Sequence, residues 1–394
     1  MNKKLIALYI ILAPILPVLS IFKFQLFSLK LSMLITLFIW GGVFVEIIIK
    51  FSLGFKIKID KNQLILLLIA IFAIFKFIIS PHDIYSVFFP VAWAILYFIG
   101  LNIDNKEDMD VFLKISGLFV IFLGIILYWL NIPLFDPEFA GSESYFSEQG
   151  KYRAMSTLVN PNAFGYFVIV FLIFNINDNK YTLKKIFLLV LCFYTILITK
   201  SRSSLIIFIY LFMKFYLEFF YYKFKNNFRD YSKYTKYCII SINVILIILI
   251  VYTGFFYISN QLIKFEDIIT NIRWKKWKVA LIFIFKNSKT FLIGNPFGTT
   301  FNQGSISFSD NYMLHIFLEY GVIGLILFCW FYLRNLVICI KKCFKIKVER
   351  RKRVKIKFDL IIFFLIAGLF SNIYEIIPLT FYIPLFLSLY KYDL

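Results

Sequence analysis

The chain has 394 residues, of which 61% are hydrophobic and 51 are Phe, and it carries a formal charge of +21. A soluble globular domain is about 45–50% apolar, and the mean hydropathy of +0.82 comes from long apolar blocks, so no soluble-domain reading survives. A nucleic-acid role is excluded as well: the positive charges sit in short loops between apolar blocks, as membrane topology signals and anionic-lipid contacts do.

The five cysteines, Cys192, Cys238, Cys329, Cys339 and Cys343, lie in or beside apolar blocks. The long polar loops hold none, so neither a disulfide framework nor a paired-cysteine zinc pattern is expected.

Twelve spans are predicted in chain order, near 4–22, 28–49, 63–80, 84–100, 111–130, 162–177, 186–200, 204–222, 238–258, 312–336, 358–374 and 376–391. Each apolar block is long enough to approach the width of the hydrocarbon layer as a helix. The start, Lys3-Lys4 followed by Leu5 to Phe22, resembles a signal peptide but is too apolar for too long, and reads as a retained first helix. The loop from Lys341 to Lys357 carries ten Lys and Arg residues against the single acid Glu349, and is therefore assigned to the cytoplasm. Counting back puts 223–237, Lys180 to Lys185, Lys50 to Lys61 and the N-terminal lysines on the same side. Both termini then come out cytoplasmic; Lys23 and the acidic loop 101–110 fit this orientation poorly. The fold class is an all-α integral membrane protein of about twelve transmembrane helices, one polytopic domain over 1–394. Two long extracytoplasmic loops, 131–161 and 259–311, are expected to be functional. The second contains Ile272 to Phe285, a short basic-aromatic stretch that includes Arg273-Trp274-Lys275-Lys276-Trp277-Lys278. It is too short to span, and reads as an amphipathic helix at the outer interface.

Candidate functional residues fall on the outer side. Arg153 precedes Asn160-Pro161-Asn162, a turn that also serves as a helix start. Arg202, within Thr199-Lys200-Ser201-Arg202-Ser203-Ser204, lies between two spans; an interface anchor is the plain alternative. Arg273 begins the interfacial helix, and Gly294-Asn295-Pro296-Phe297-Gly298 marks a bend or a close backbone approach. Ser309 or Asp310 is the expected N-cap of a helix carrying Asn311, Tyr312, His315, Glu319, Gly321 and Gly324. Glu319 is an acid about two turns into an apolar span, a functional hypothesis by default, with a structural ion pair as its alternative. Of the two histidines, His82 and His315, His315 is the one nearer this chemistry. Lys76 either snorkels or reaches a phosphate, and Lys214 and Glu218 are expected to pair at i,i+4 on one helix. Three arginines from separate parts of the chain on one side of a membrane suit an anion attached to a lipid, such as a lipid-linked pyrophosphate.

Arg153 with Asn160-Pro161-Asn162, Ser201-Arg202-Ser203, Arg273 with Trp277, Gly294 to Gly298, and Ser309-Asp310-Asn311 with Glu319-x-Gly321-x-x-Gly324 occur in an order that resembles the O-antigen ligase and polymerase superfamily. By motif the resemblance covers roughly 150–330, and by topology the whole chain. It implies a bacterial inner-membrane glycosyltransferase, independent of metal and cofactor, acting on undecaprenyl-pyrophosphate-linked oligosaccharide at the outer face. Membrane lipids, a chain-length regulator and a flippase are the partners it implies.

Carried over, Arg153, Arg202 and Arg273, with Lys76, hold the pyrophosphate. Asn160, Asn162, Asn311 and Tyr312 contact the rest of the substrate. Asp310, His315 or Glu319 serves as the base, unless no side-chain base is needed. Ligases of the superfamily carry a histidine just before the asparagine matched by Asn311, where this chain has Asp310. That departure favours a polymerase of O-antigen or capsule repeats over a ligase that moves glycan to lipid A–core. A lipid-linked-glycan flippase is the remaining alternative.

Overall fold

In a computed structural model the described residues are 3–21, 25–26, 29–54, 56–79, 85–103, 109–132, 152–158, 160–177, 183–227, 272–295, 311–343, 348–371 and 379–389. They form helices α1 (Lys3–Leu12), α2 (Leu31–Ser52), α3 (Lys61–Ile79), α4 (Tyr85–Asn102), α5 (Met109–Trp129), α6 (Pro161–Ile176), α7 (Leu183–Thr199) and α8 (Arg202–Asn227). There follow α9 (Ile272–Ile284), α10 (Ser288–Ile293), α11 (Tyr312–Cys343), α12 (Val348–Phe370) and α13 (Leu379–Leu389). The only described strands are two-residue pieces, Gln25–Leu26 paired antiparallel with Leu29–Lys30.

Surface and interior are both apolar. On α3, Asn62, Gln63, Ile69, Ala73 and Lys76 face inward, while Leu64, Leu68, Ile71, Phe75 and Ile78 are exposed. A soluble amphipathic helix has the reverse pattern. Rows of exposed aliphatic and aromatic side chains recur on α2, α5 and α11, an arrangement that lipid tolerates and water does not. Among the described residues, four helices are long and apolar enough to cross a membrane: Leu34–Ser52, Lys61–Ile79, Val111–Trp129 and Tyr312–Lys342. The chain is an α-helical membrane protein.

Helix α6 is apolar on every side and almost every residue in it is buried, so it runs through the middle of the bundle. Helix α13 is also buried throughout. It lies along α4, where Trp93 Nε1 donates to Thr380 Oγ1 at 3.0 Å. The core is aromatic: Trp93 meets Phe364 edge-on at 5.6 Å, and Tyr332 stacks on Phe364 at 4.8 Å.

Some boundaries differ from those expected. The span predicted over 4–22 is a helix only to Leu12; a turn and a 3-10 segment over Leu16–Ile21 follow, because Pro14 and Pro17 have no amide to continue the ladder. The basic loop expected over 341–357 is largely helical, with α11 running to Cys343 and α12 starting at Val348. Lys and Arg are good helix formers, so positive charge does not end a helix. The predicted span 238–258, most of the first long loop and residues 296–310 lie outside the described residues.

Hydrogen bonds sort the helix termini into two ends. At one end, Thr157 reaches Pro14, Arg153 reaches Thr199, Tyr166 reaches Ser203 and Ser371, and Asn311 reaches Leu369. At the other, Asn102 reaches Lys58, Asn62 reaches Tyr97 and Asn335, and Lys214 and Asn177 reach Asp359. These are called the Arg153 end and the Asp359 end below.

Candidate active site

At the Arg153 end, the segment before α6 is pinned on three sides. Ala154 N donates to Ile198 O at 3.1 Å, Ser156 Oγ to Val120 O at 2.7 Å, and Thr157 Oγ1 to Pro14 O at 2.7 Å. Helix α6 starts as its sequence dictates: Asn160 is the N-cap, its Oδ1 accepting from the amides of Asn162 and Ala163, with Pro161 in the first turn. Held between these, Arg153 donates from Nε to Thr199 O at 2.9 Å and from Nη2 to Asn162 Oδ1 at 3.4 Å. Thr199 ends α7, and a guanidinium on a terminal carbonyl suits the negative end of a helix. Lys200, at φ 52°, turns the chain into α8, where exposed Arg202 stands at the first position. Arg153, Asn162 and Arg202 therefore gather around one α7–α8 junction.

A second group lies where α3 meets α11. His315 Nε2 is 3.2 Å from Glu319 Oε2, one turn apart on α11. Lys76, in the last turn of α3, has Nζ 5.7 Å from the centroid of the Tyr320 ring and interacts electrostatically with Glu319. His315, Glu319 and Lys76 are 5%, 4% and 6% exposed, surroundings in which an uncompensated charge is costly. A buried carboxylate beside an imidazole is an arrangement that can accept and hold a proton.

The last turn of α12 touches the elements carrying both groups. Ser371 Oγ accepts from Tyr166 Oη at 2.9 Å, and Tyr166 in turn bonds Ser203 at 2.6 Å, beside Arg202. Two residues earlier, Leu369 O accepts from Asn311 Nδ2 at 3.2 Å. Asn311 also caps α11, accepting from Leu314 N at 3.0 Å. The cap is thus Asn311, one or two residues beyond the expected Ser309 or Asp310: its short amide side chain reaches the third helical amide while its own amino group holds α12. Tyr312 is fully buried, its ring edge-on to Phe364 at 4.9 Å, so it belongs to the core.

Three further residues singled out in the sequence are placed only in part or not at all. Arg273 stands in the first turn of α9, with its side chain outside the described residues. Asp310 and His82 lie wholly outside them. Among the described residues, no group of three His, Cys, Asp or Glu could hold a metal.

The structure corrects one pairing and adds a cluster. Lys214 and Glu218 do not bond each other. Lys214 Nζ bonds the Asp359 carboxylate, and Glu218 pairs with Lys355 at 2.7 Å. Asp359, fully buried, also accepts from Asn177 Nδ2 at 2.7 Å and Tyr210 Oη at 3.4 Å. A neighbouring helix offering a buried, multiply bonded carboxylate outcompetes an i,i+4 partner at the surface. Asp359 carries the same signal as Glu319, an acid inside an apolar stretch.

A scan against protein-family models and a search of curated proteins found no match for this chain.

Proposed function

We propose that this chain joins undecaprenyl-pyrophosphate-linked oligosaccharide repeat units of O-antigen or capsule into a longer lipid-linked glycan, at the outer face of a bacterial inner membrane. The observation that carries the reading is that an arginine junction and a buried His315–Glu319 pair lie at the same end of the bundle. That end lies opposite the lysine- and arginine-rich start of α12. Twelve spans with both termini cytoplasmic would turn the Arg153 end outward.

The reaction is displacement at an anomeric carbon, with the lipid pyrophosphate leaving. Arg153 and Arg202, joined by Arg273, offset the charge that develops on the pyrophosphate. The attacking hydroxyl gives its proton to the His315–Glu319 pair or to Asp310. Lys76, set against Glu319, acts as counter-charge to the acid in this scheme.

The test is a gel profile of surface glycan, with analysis of the lipid-linked pool, in a strain lacking this protein. Single repeat units on the final acceptor, with the long ladder gone, are expected. Long chains stranded on undecaprenyl pyrophosphate would replace the polymerase by a ligase. An accumulation of repeat units facing the cytoplasm would replace it by a flippase.

A further inference from the structure

Helix α11 is two helices joined at a break. Gly321 has φ 66° and ψ −167°, outside helical space, and in a region that side-chain-bearing residues rarely adopt. Gly294, which ends α10, has φ 78° and ψ 177°. The two glycines meet face to face. A Cβ on Gly294 would lie 2.3 Å from the Glu319 carbonyl oxygen and 2.7 Å from the Gly321 nitrogen. A Cβ on Gly321 would lie 2.4 Å from the Leu292 carbonyl oxygen and 2.5 Å from the Gly294 nitrogen. Backbone packs on backbone, and no other residue type fits either position.

The break also strands helix carbonyls that an unbroken helix would satisfy. Leu318 O, three residues before Gly321, accepts from Asn295 N at 2.8 Å. Apolar contacts extend the grip. Ala280 and Ile284 of α9 bury against Leu318, and Phe285, Phe291 and Phe317 form a three-ring cluster with centroids 5.5 to 6.2 Å apart. The α9–α10 hairpin therefore holds the two turns of α11 that carry His315 and Glu319, while Lys76 of α3 bears on the same turns.

We propose that the Gly294–Gly321 backbone interlock positions the His315–Glu319 pair, making the α9–α10 hairpin part of the reaction centre. Gly294 and Gly321 are positioning residues that act through Glu319, whose own carbonyl lies inside the interlock. The proposal deepens the polymerase reading and rests on it. Two segments that look separate along the chain, Gly294-Asn295 and Glu319-x-Gly321, then form one mechanical unit.

The test uses the full-length protein in detergent, as wild type and as Gly294→Ala, Gly321→Ala and Gly41→Ala. Gly41 has nothing within 4 Å of an added Cβ and serves as control. Trypsin cleavage at Lys286 and Lys289, exposed but held in the hairpin, needs local opening. Cleavage in Gly294→Ala and Gly321→Ala is expected to be about tenfold faster, with Gly41→Ala unchanged. Unchanged cleavage in both interlock variants overturns the interlock.

The second arm measures extension of lipid-linked repeat units, extracted from the deletion strain, as a function of pH. A displaced His315–Glu319–Lys76 group shifts the limbs of the rate profile. A profile that is only scaled down, with no shift, overturns positioning through Glu319. Wild-type protein that extends no units overturns the polymerase reading alone, and the trypsin arm then decides the interlock by itself.

Discussion

The two ends of the bundle use similar residues for different purposes. At the Asp359 end, acids and amides are shared between neighbouring helices. Asp359 draws Asn177, Tyr210 and Lys214 from α6 and α8 onto α12, and Asn62 links Tyr97 and Asn335 across α3, α4 and α11. These bonds cross between neighbouring elements, which is how a structural clamp is built. At the Arg153 end, charge gathers on interruptions: a left-handed turn at Lys200, a broken helix at Gly321, and a guanidinium on a terminal carbonyl. Interrupted backbone inside a membrane protein persists where it is packed by protein or lines a polar region, and strain of this kind clusters at functional sites. Under the proposed function, the Asp359 end serves stability and the Arg153 end serves the reaction.

The largest effect that could break this division is loss of polymer. Alanine at Arg153, Arg202 or Arg273 is expected to abolish long glycan while leaving the protein in the membrane, read by a glycan gel beside a membrane immunoblot. Wild-type chain length in all three variants would remove the arginines from the chemistry.

Next in size is Asp359→Ala. It removes the shared acceptor of Lys214, Asn177 and Tyr210, and is expected to cost about 3 kcal/mol, discounted for the partial exposure of Lys214. Thermal unfolding in detergent measures the loss. Glycan made per folded molecule should hold steady, and a selective loss of polymer would erase the distinction between the two ends.

Asn311→Ala removes the α11 cap and the bond to Leu369, at a cost of about 1 kcal/mol in the same unfolding measurement, and is expected to shorten the glycan ladder as well. A ladder of normal length would confine Asn311 to capping.

The smallest effect belongs to Glu218→Ala. Its bond to Lys355 is partly solvent-screened, with side-chain exposures of 35% and 27%, so the loss should stay below about 1 kcal/mol. A large drop in melting temperature would mean that this pair and the Asp359 cluster act as one network.

How much was legible in the chain depends on the range of the interaction. The N-cap at Asn160 with Pro161 after it is a local motif, and it folds as read. The early stop of α1 was equally local, since Pro14 and Pro17 sit inside the predicted span and their missing amides end the ladder. The pairing of Lys214 was not legible: i,i+4 spacing made Glu218 the nearest acid along the helix, and only packing brings Asp359 closer. Glu319 stood out as an acid in an apolar span, but its meeting with Lys76 joins residues from opposite halves of the chain.

Composition and block length by themselves pointed to a helical membrane protein, because backbone in hydrocarbon must bond within helices or a closed barrel, and continuous apolar blocks of this length suit helices rather than short alternating strands. They also marked Arg153, Arg202 and Glu319 as residues out of keeping with their surroundings. Only the tertiary structure decided which of these meet. Arg153 joins the α7–α8 junction, Glu319 has His315 beside it and interacts with Lys76, and Gly294 locks against Gly321. The physical reason is that local preference acts over a few residues, whereas burial of a charge or of bare backbone is resolved only by whatever the fold brings alongside it.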